Sequence, residues 1–424
     1  MNVVILGNGI AGNTAASTIK KVKRSTKVTL ISEERVPLYS ACVFPDYISG
    51  ELERKKVFLK GQEDYQKNGI GTVFGKRATE INTGDKKICM GDEEVGYDRL
   101  IIATGSEPRV PPIEGTEKKR VFSLKSIHDA DWIKNYAGGR AVVIGSGPIG
   151  IELAIALRKR GYNISVVELL DHILPKLLDE KPASLVEEIM RKHQIEIFTG
   201  TKVSEVVEKE KVKMVRAGEH EFECDLVLLA TGMKPRAELA EKAGIEVGET
   251  GGIKVNQQMM TSIDDIYACG DCVETMDIPT GESRLSLLWH TAKLQANVAA
   301  YNCLGIPKKY SGSLNFTGID IFGAYAISSG NTIADFDGKD SEIIERTKGG
   351  DNYSRVIITD GILSGIQFVG KEMEKEAGIL LSMIKKKVTL ESWKRILDTK
   401  EFIDQFPWLD RTRYFLGSGA NPCK

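Results

Sequence analysis

The sequence has no excess of charge of one sign: 58 Lys and Arg stand against 59 Asp and Glu, a formal total of −1. A nucleic-acid binder must replace phosphate counterions and shows a basic excess or stripe, so nucleic acid is not an expected partner. No apolar run approaches the ~20 residues of a membrane span. No cationic stretch with a separate apolar core precedes the strand-like Val3-Val4-Ile5-Leu6, so no secretory leader is expected, and the reading is a cytoplasmic protein. The cysteines are Cys42, Cys89, Cys224, Cys269, Cys272, Cys303 and Cys423. An odd number in a long chain does not read as a secreted disulfide scaffold. The histidines (His128, His172, His193, His220, His290) are scattered, and no second Cys-x-x-Cys joins Cys269–Cys272. No metal or iron–sulfur set is therefore expected.

What the chain has in abundance is glycine, 42 of 424 residues against a usual ~7%. There is no Gly-X-Y period, so collagen is excluded, and the glycines mark places where backbone approaches something closely. Two segments share a layout: NVVILGNGIAG, a helical stretch and KVTLISEE, then RAVVIGSGPIG, a helical stretch and NISVVELLD. Each is an apolar strand, a glycine fingerprint opening a helix, and a second apolar strand ending near an acid. Each later reaches a strand closing on Ala-Thr-Gly, at Ala103-Thr104-Gly105 and Ala230-Thr231-Gly232. Parallel strands joined through helices need helices on the sheet faces. The fold class is α/β, with two doubly wound dinucleotide-binding domains. After Asn302 the β-like runs Ser341–Arg346, Arg355–Thr359 and Leu363–Val369 and a helical stretch near 371–387 suggest a smaller α+β domain. The aromatics Trp393, Phe402, Phe406, Trp408, Tyr414 and Phe415 read as packing of that domain or as a subunit interface.

In Gly7-Asn8-Gly9-Ile10-Ala11-Gly12 the first glycine makes the tight turn. The second lets a pyrophosphate approach, and the third lets helix and strand pack closely. Gly145-Ser146-Gly147-Pro148-Ile149-Gly150 repeats the device. In both, the helix N-terminus offers amides and partial positive charge to phosphate. Glu168 ends the strand after the second fingerprint. A carboxylate there accepts ribose hydroxyls and repels a 2′-phosphate, which favours NAD over NADP. In the first unit Glu33 is the ribose candidate, with Glu34 left open by a one-residue offset; the alternative for each acid is a solvated strand end. Gly270-Asp271 closes a further apolar strand, where Gly270 permits close approach and Asp271 can bond a ribityl chain.

As an ordered set, GNGIAG, ATGSEPRVPPIEG, VVIGSGPIGIE, ATGMKPR, IYACGD and WHTAKLQANVAAYN resemble the FAD-dependent pyridine nucleotide–disulfide oxidoreductase superfamily. The similarity spans about the first 305 residues. The subgroups it resembles are NADH oxidases, coenzyme A-disulfide reductases, and NADH-dependent rubredoxin, ferredoxin and nitrite reductases. The resemblance implies a discontinuous FAD domain (1–112 and 245–305), an NAD domain (113–244) and an interface domain (306–424). It implies that Gly7, Gly9 and Gly12 cradle FAD, Glu33 its ribose, and Thr104, Gly105, Gly270 and Asp271 line that site. Gly145, Gly147, Gly150, Glu168 and Gly232 would serve NAD(H), and Glu152 would lie near the nicotinamide–flavin stack. Trp289 and Gln295 fall in the stretch resembling the helix beside the isoalloxazine. Hydride would pass from NADH to flavin N5.

By the same resemblance Cys42 matches the single redox cysteine of NADH oxidases and coenzyme A-disulfide reductases. Val43 replaces the usual glycine, and Leu38 stands where a serine is common. Cys42 is therefore read either as a redox thiol or as a passive lining residue. Cys269-Gly270-Asp271-Cys272 overlays the Gly-Asp motif and is read as structural, and the superfamily's paired Cys-x-x-x-x-Cys is absent. The leading expectation is electron delivery to a redox protein, an iron–sulfur protein or rubredoxin. The alternatives are a Cys42-dependent reductase of coenzyme A disulfide, polysulfide, oxygen or peroxide, and a flavin-bearing subunit of a larger electron-transfer complex. The expected assembly is a homodimer or such a complex.

Overall fold

A computed structural model of the chain describes residues 1–209, 212–335, 341–348, 352–371 and 374–389. Two structural units emerge, each discontinuous in sequence.

The first unit comprises Met1–Cys42, Arg54–Glu107 and Met233–Leu314. Its sheet runs Ile266–Ala268, Arg99–Ile102, Asn2–Leu6, Lys27–Ser32, Ile70–Phe74, all parallel. The strands read as near-continuous apolar runs because a parallel sheet is covered on both faces. Val3, Val4, Ile5, Leu100, Ile101 and Ile102 are completely buried. Helices Ile10–Val22 and Trp289–Cys303 pack on each other and on this sheet. Their facing residues are small: Ala15, Ala16, Ala292, Ala296 and Ala299 are buried.

The second unit comprises Val43–Glu53, Pro108–Gly232 and the described residues from Asn315 onward. Its parallel sheet runs Ile195–Phe198, Asn163–Val167, Arg140–Ile144, Leu226–Leu229, Val121–Ser123. Strand order reverses at Asn2–Leu6 in one sheet and at Arg140–Ile144 in the other. The crevice beyond the carboxyl end of such a strand is where ligands bind in open α/β sheets. The internal repeat extends further than the fingerprints show. In each unit a three-stranded antiparallel sheet (Glu80–Asn82, Lys87–Met90, Glu93–Gly96; Val203–Lys209, Val212–Ala217, His220–Cys224) precedes the strand that ends in Ala-Thr-Gly.

The C-terminal part of the second unit is a five-stranded antiparallel sheet followed by helix Glu374–Lys385. Ser341–Lys348, Asn352–Thr359 and Ile362–Gly370 extend the three expected strands. Two more, Phe316–Ile321 and Ala324–Gly330, precede them. Their hairpin turn is Phe322-Gly323, both at positive φ. That conformation is usually signalled by Asn-Gly or Asp-Gly, so Phe322 conceals the turn in the sequence. Trp393, Phe402, Phe406, Trp408, Tyr414, Phe415 and Cys423 lie outside the described residues. Among the described residues, no helix is long and apolar enough to cross a membrane.

Candidate dinucleotide sites

The two fingerprints fold identically. The amide of Gly7 donates to Ile31 O and that of Gly145 to Val167 O, both at 2.8 Å. Ala103 N donates to Leu6 O and Ala230 N to Ile144 O, again at 2.8 Å. Helices Ile10–Val22 and Pro148–Lys159 begin at Gly9 and Gly147, and neither cap residue carries a side chain that could satisfy the first amides. A Cβ on Gly9 or Gly147 would meet no protein atom within 4 Å. The space before each helix N-terminus is thus open, and no cap side chain satisfies the first amides facing it. That geometry fits a dinucleotide pyrophosphate.

Both Ala-Thr-Gly turns are clasped in the same way. Thr104 Oγ1 donates to the Arg236 carbonyl at 2.7 Å, and Arg236 N donates to Gly105 O at 2.9 Å. Thr231 Oγ1 donates to the Arg109 carbonyl at 2.6 Å, and Arg109 N donates to Gly232 O at 2.9 Å. Each clasping arginine belongs to the Ala-Thr-Gly-x-x-Pro-Arg run of the other turn. The sequence reading missed Arg109 and Arg236, although the repeated Pro-Arg in ATGSEPR and ATGMKPR was their signal.

In the first unit, Asp271 accepts from Ser106 Oγ at 2.7 Å. Gly270 adopts positive φ, and its Cβ position lies 2.9 Å from Ala11 Cβ, so the Gly-Asp turn sits directly against the fingerprint helix. Gln295 is buried and accepts from Gly270 N at 2.8 Å; it reaches this site by holding the turn. Trp289 opens its helix half-buried, with Lys293 Nζ 4.4 Å over the ring. Glu33 is ion-paired with Arg236, while Glu34 accepts from Tyr39 OH at 2.9 Å. Cys269 and Cys272 are wholly buried, and burial pushes both thiols up. That opposes thiolate chemistry.

In the second unit, Glu168 is buried and accepts three hydrogen bonds from its own loop. Its Oε2 accepts from Ser146 N at 2.8 Å and Ser146 Oγ at 2.7 Å, and its Oε1 accepts from Leu170 N at 2.9 Å. The carboxylate therefore shapes the fingerprint loop, and Oε1 retains capacity for one further donor. Glu152 stands in the second turn of helix Pro148–Lys159, with an edge open to solvent. Burial, aided by the Asp46 carboxylate, pushes its carboxyl up to about 8.

Cys42 is exposed, in the turn Ala41–Val43. The segment leading to it is bonded to a second one: Ser40 N donates to Val57 O and Leu59 N to Leu38 O, both at 2.9 Å. Tyr39 and Phe58 meet edge to face at 6.3 Å. Beside this ribbon lies a shallow, open depression bordered by Val36, Pro37, Arg54, Lys55, Phe58, Lys60 and Gly61. Lys60 Nζ donates to Asn13 Oδ1 at 3.0 Å and Ser17 Oγ at 3.1 Å. Arg54 lies 5.2 Å over the Phe58 ring.

Residues 1–296 match the family described as pyridine nucleotide-disulphide oxidoreductase. The chain is 36% identical over 326 residues to an NADH oxidase of Methanocaldococcus jannaschii, covering 74% of this chain and 72% of that one. It is 32% identical over 319 residues to the CoA-dependent NAD(P)H sulfur oxidoreductase of Pyrococcus furiosus, with the same coverage of 74% and 72%. Among solved structures, a NAD-dependent persulfide reductase from A. fulgidus superimposes with a TM-score of 0.87 at 32% identity, covering 92% of this chain and 78% of that one.

Proposed function

The chain belongs to the pyridine nucleotide-disulphide oxidoreductase family, and we propose that it uses NADH to reduce a small anionic sulfur compound, a disulfide or persulfide, at Cys42. It is an NAD(P)H-dependent flavoprotein oxidoreductase with FAD and NAD(H) as cofactors. When bound, FAD supplies the two-electron relay from nicotinamide to acceptor.

The observation that carries this reading is that exposed Cys42 ends the ribbon beside an open depression at which Arg54, Lys55 and Lys60 gather. Arg54, Lys55 and Lys60 suit an anionic acceptor, and burial lowers the pKa of Lys60, so an anion there relieves an unfavourable desolvation. The sulfur-reducing activities in the names of the Pyrococcus and A. fulgidus relatives point the same way. The first-unit glycines Gly7, Gly9 and Gly12, with Thr104, Gly105, Gly270 and Asp271, hold FAD. Gly145, Gly147, Gly150, Glu168 and Gly232 hold NADH. Cys42 Sγ attacks one sulfur of the acceptor, and the other leaves as a thiolate. Two electrons from NADH then cleave the mixed disulfide on Cys42 and release the second thiol. In sum, NADH, a proton and a disulfide become NAD+ and two thiols.

Cys42→Ser tests the reading. Turnover with coenzyme A disulfide or polysulfide is lost, while NADH oxidation by an artificial dye persists. Full retention of sulfur reduction in Cys42→Ser rejects it and returns the choice to an iron–sulfur protein or rubredoxin as acceptor.

A further inference from the structure

The chain leaves the first unit at Cys42 and enters the second at Val43. Ala41–Val43 is one tight turn that continues into helix Phe44–Ser49. Cys42 is therefore the leading end of a strap, Val43–Glu53, whose body belongs to the nucleotide unit.

The strap is anchored along its length. Phe44, Tyr47 and Ile48 are buried, and their helix packs on helices Ile127–Asn135 and Pro148–Lys159. Tyr47 OH donates to Asp131 Oδ1 at 2.7 Å. Lys134 donates from Nζ to the Tyr47 carbonyl at 2.5 Å and lies 4.1 Å over its ring. Glu51 pairs with Lys159 at 2.9 Å. The receiving helix, Pro148–Lys159, is the one whose N-terminus forms the second fingerprint, and after burial the strap's Asp46 adds to the upward push on the Glu152 carboxyl of that helix.

We propose that Tyr47 is a positioning residue that makes the accessibility of Cys42 depend on nucleotide occupancy of the second fingerprint. A ligand shifts an equilibrium only through different interactions with its states. A nucleotide at Gly147 changes the field at the helix N-terminus and at Glu152, on the helix against which the strap packs. The strap joins Cys42 through a single peptide bond, so a small displacement of helix Phe44–Ser49 reaches the thiol without passing through a flexible linker. Coupling carried by packed helices and hydrogen bonds needs an element with two arrangements, and the proposal assigns that part to the turn Ala41–Val43. The inference takes the second fingerprint as the nicotinamide site and is independent of which acceptor Cys42 serves.

The test is the rate of Cys42 alkylation by iodoacetamide, followed by mass spectrometry of the flavin-loaded protein with and without NAD+, which brings no electrons. NAD+ changes the native rate by about 5-fold or more, the lower end of allosteric coupling, and Tyr47→Phe reduces that response to under about 2-fold while NAD+ still binds. By reciprocity, the alkylated protein binds NAD+ with an affinity changed by the same factor. A native rate indifferent to NAD+ overturns the proposal. So does an undiminished response in Tyr47→Phe, because direct shielding of the thiol needs no strap. If Tyr47→Phe does not fold, Lys159→Met, which releases the Glu51 anchor, gives the same reading. Failure here leaves the sulfur-reductase reading standing, since alkylation does not report the acceptor.

Discussion

The carbonyl oxygen of Ala103 lies 2.0 Å from where a Cβ on Gly7 would stand, and that of Ala230 lies 2.5 Å from the same point on Gly145. Gly7 and Gly145 also hold φ of +112° and +99°, a region side chains avoid. The third glycines close the arrangement: a Cβ on Gly12 would stand 1.9 Å from Gly7 O, and one on Gly150 2.1 Å from Gly145 O. The first and third glycines are thus required by the protein itself, as the meeting point of fingerprint and Ala-Thr-Gly turn. The second meets no such constraint, which leaves its requirement to the proposed dinucleotide.

That division predicts different outcomes for neighbouring substitutions. Gly7→Ala meets backbone at a strained φ and is expected to destabilise the protein by about 2–5 kcal/mol. Gly9→Ala meets no protein atom and is expected to leave the melting temperature of the flavin-free protein within a few degrees while abolishing FAD retention. Thermal melting of the apoprotein, paired with the flavin-to-protein absorbance ratio, separates the two. Loss of fold in Gly9→Ala would contradict the assignment.

The parallel sheets were legible because their strands are apolar throughout and their turns carry glycine. The C-terminal strands from Ser341 were legible for a similar reason, while the Phe316–Gly330 hairpin was hidden by a turn without the usual residues. The strap was not legible at all. Its anchors, Tyr47 to Asp131 and Glu51 to Lys159, join positions far apart in sequence, and no local pattern encodes such pairs. At the site, the glycines announced themselves. The second role of Glu168, bracing Ser146, depends on a buried hydrogen-bond geometry that spacing alone does not reveal.

Glu168 accordingly braces the fingerprint loop, beside the ribose contact proposed for it. Glu168→Ala removes three accepted bonds and leaves Ser146 N and Leu170 N without this partner. Bonds to a charged group contribute about 1.5–3 kcal/mol, so the KM for NADH is expected to rise at least ~10-fold. Removing the negative charge also lessens repulsion of a 2′-phosphate, so the preference for NADH over NADPH narrows. Steady-state kinetics with both nucleotides, using an artificial dye as acceptor, checks both effects.

Glu152 gives a pH signature. Its carboxyl, ordinarily near 4.5, is pushed up to about 8 by burial and then by Asp46. Between these values the folded protein holds a proton that the unfolded chain has released. The associated stability is present at low pH and lost as pH rises from about 4.5 through about 8. Glu152→Gln removes this dependence. Melting temperatures of nucleotide-free protein from pH 5 to 9 should therefore fall more steeply for the native chain than for Glu152→Gln. Parallel curves would mean that Glu152 is already ionised at neutral pH.

The C-terminal sheet is tied to the nucleotide fold within the second unit by a charge network centred on the buried Arg355. Its Nη1 pairs with Asp179 at 2.7 Å, the two side chains being 7% and 11% exposed, and its Nη2 pairs with Glu345 at 2.5 Å. Tyr353 OH also donates to Glu345, at 2.7 Å, and Asp179 occupies the N-cap position of helix Glu180–Lys192 without a side-chain capping bond. Bonding first from Lys181 and then from Tyr353 draws the Glu345 carboxyl down to about 2, from 4.5. A depressed carboxyl contributes stability above its unfolded value and loses it as pH falls. Glu345→Gln is thus expected to flatten the acid limb between about 4.5 and about 2. Arg355→Ala leaves Asp179 without its buried cation and is expected to cost about 3–5 kcal/mol. Combining it with Asp179→Asn removes the stranded charge, so the double variant should be less destabilised than the sum of the two single changes. Denaturant unfolding of the four proteins measures that difference, and strict additivity would show that the two residues act independently despite their contact.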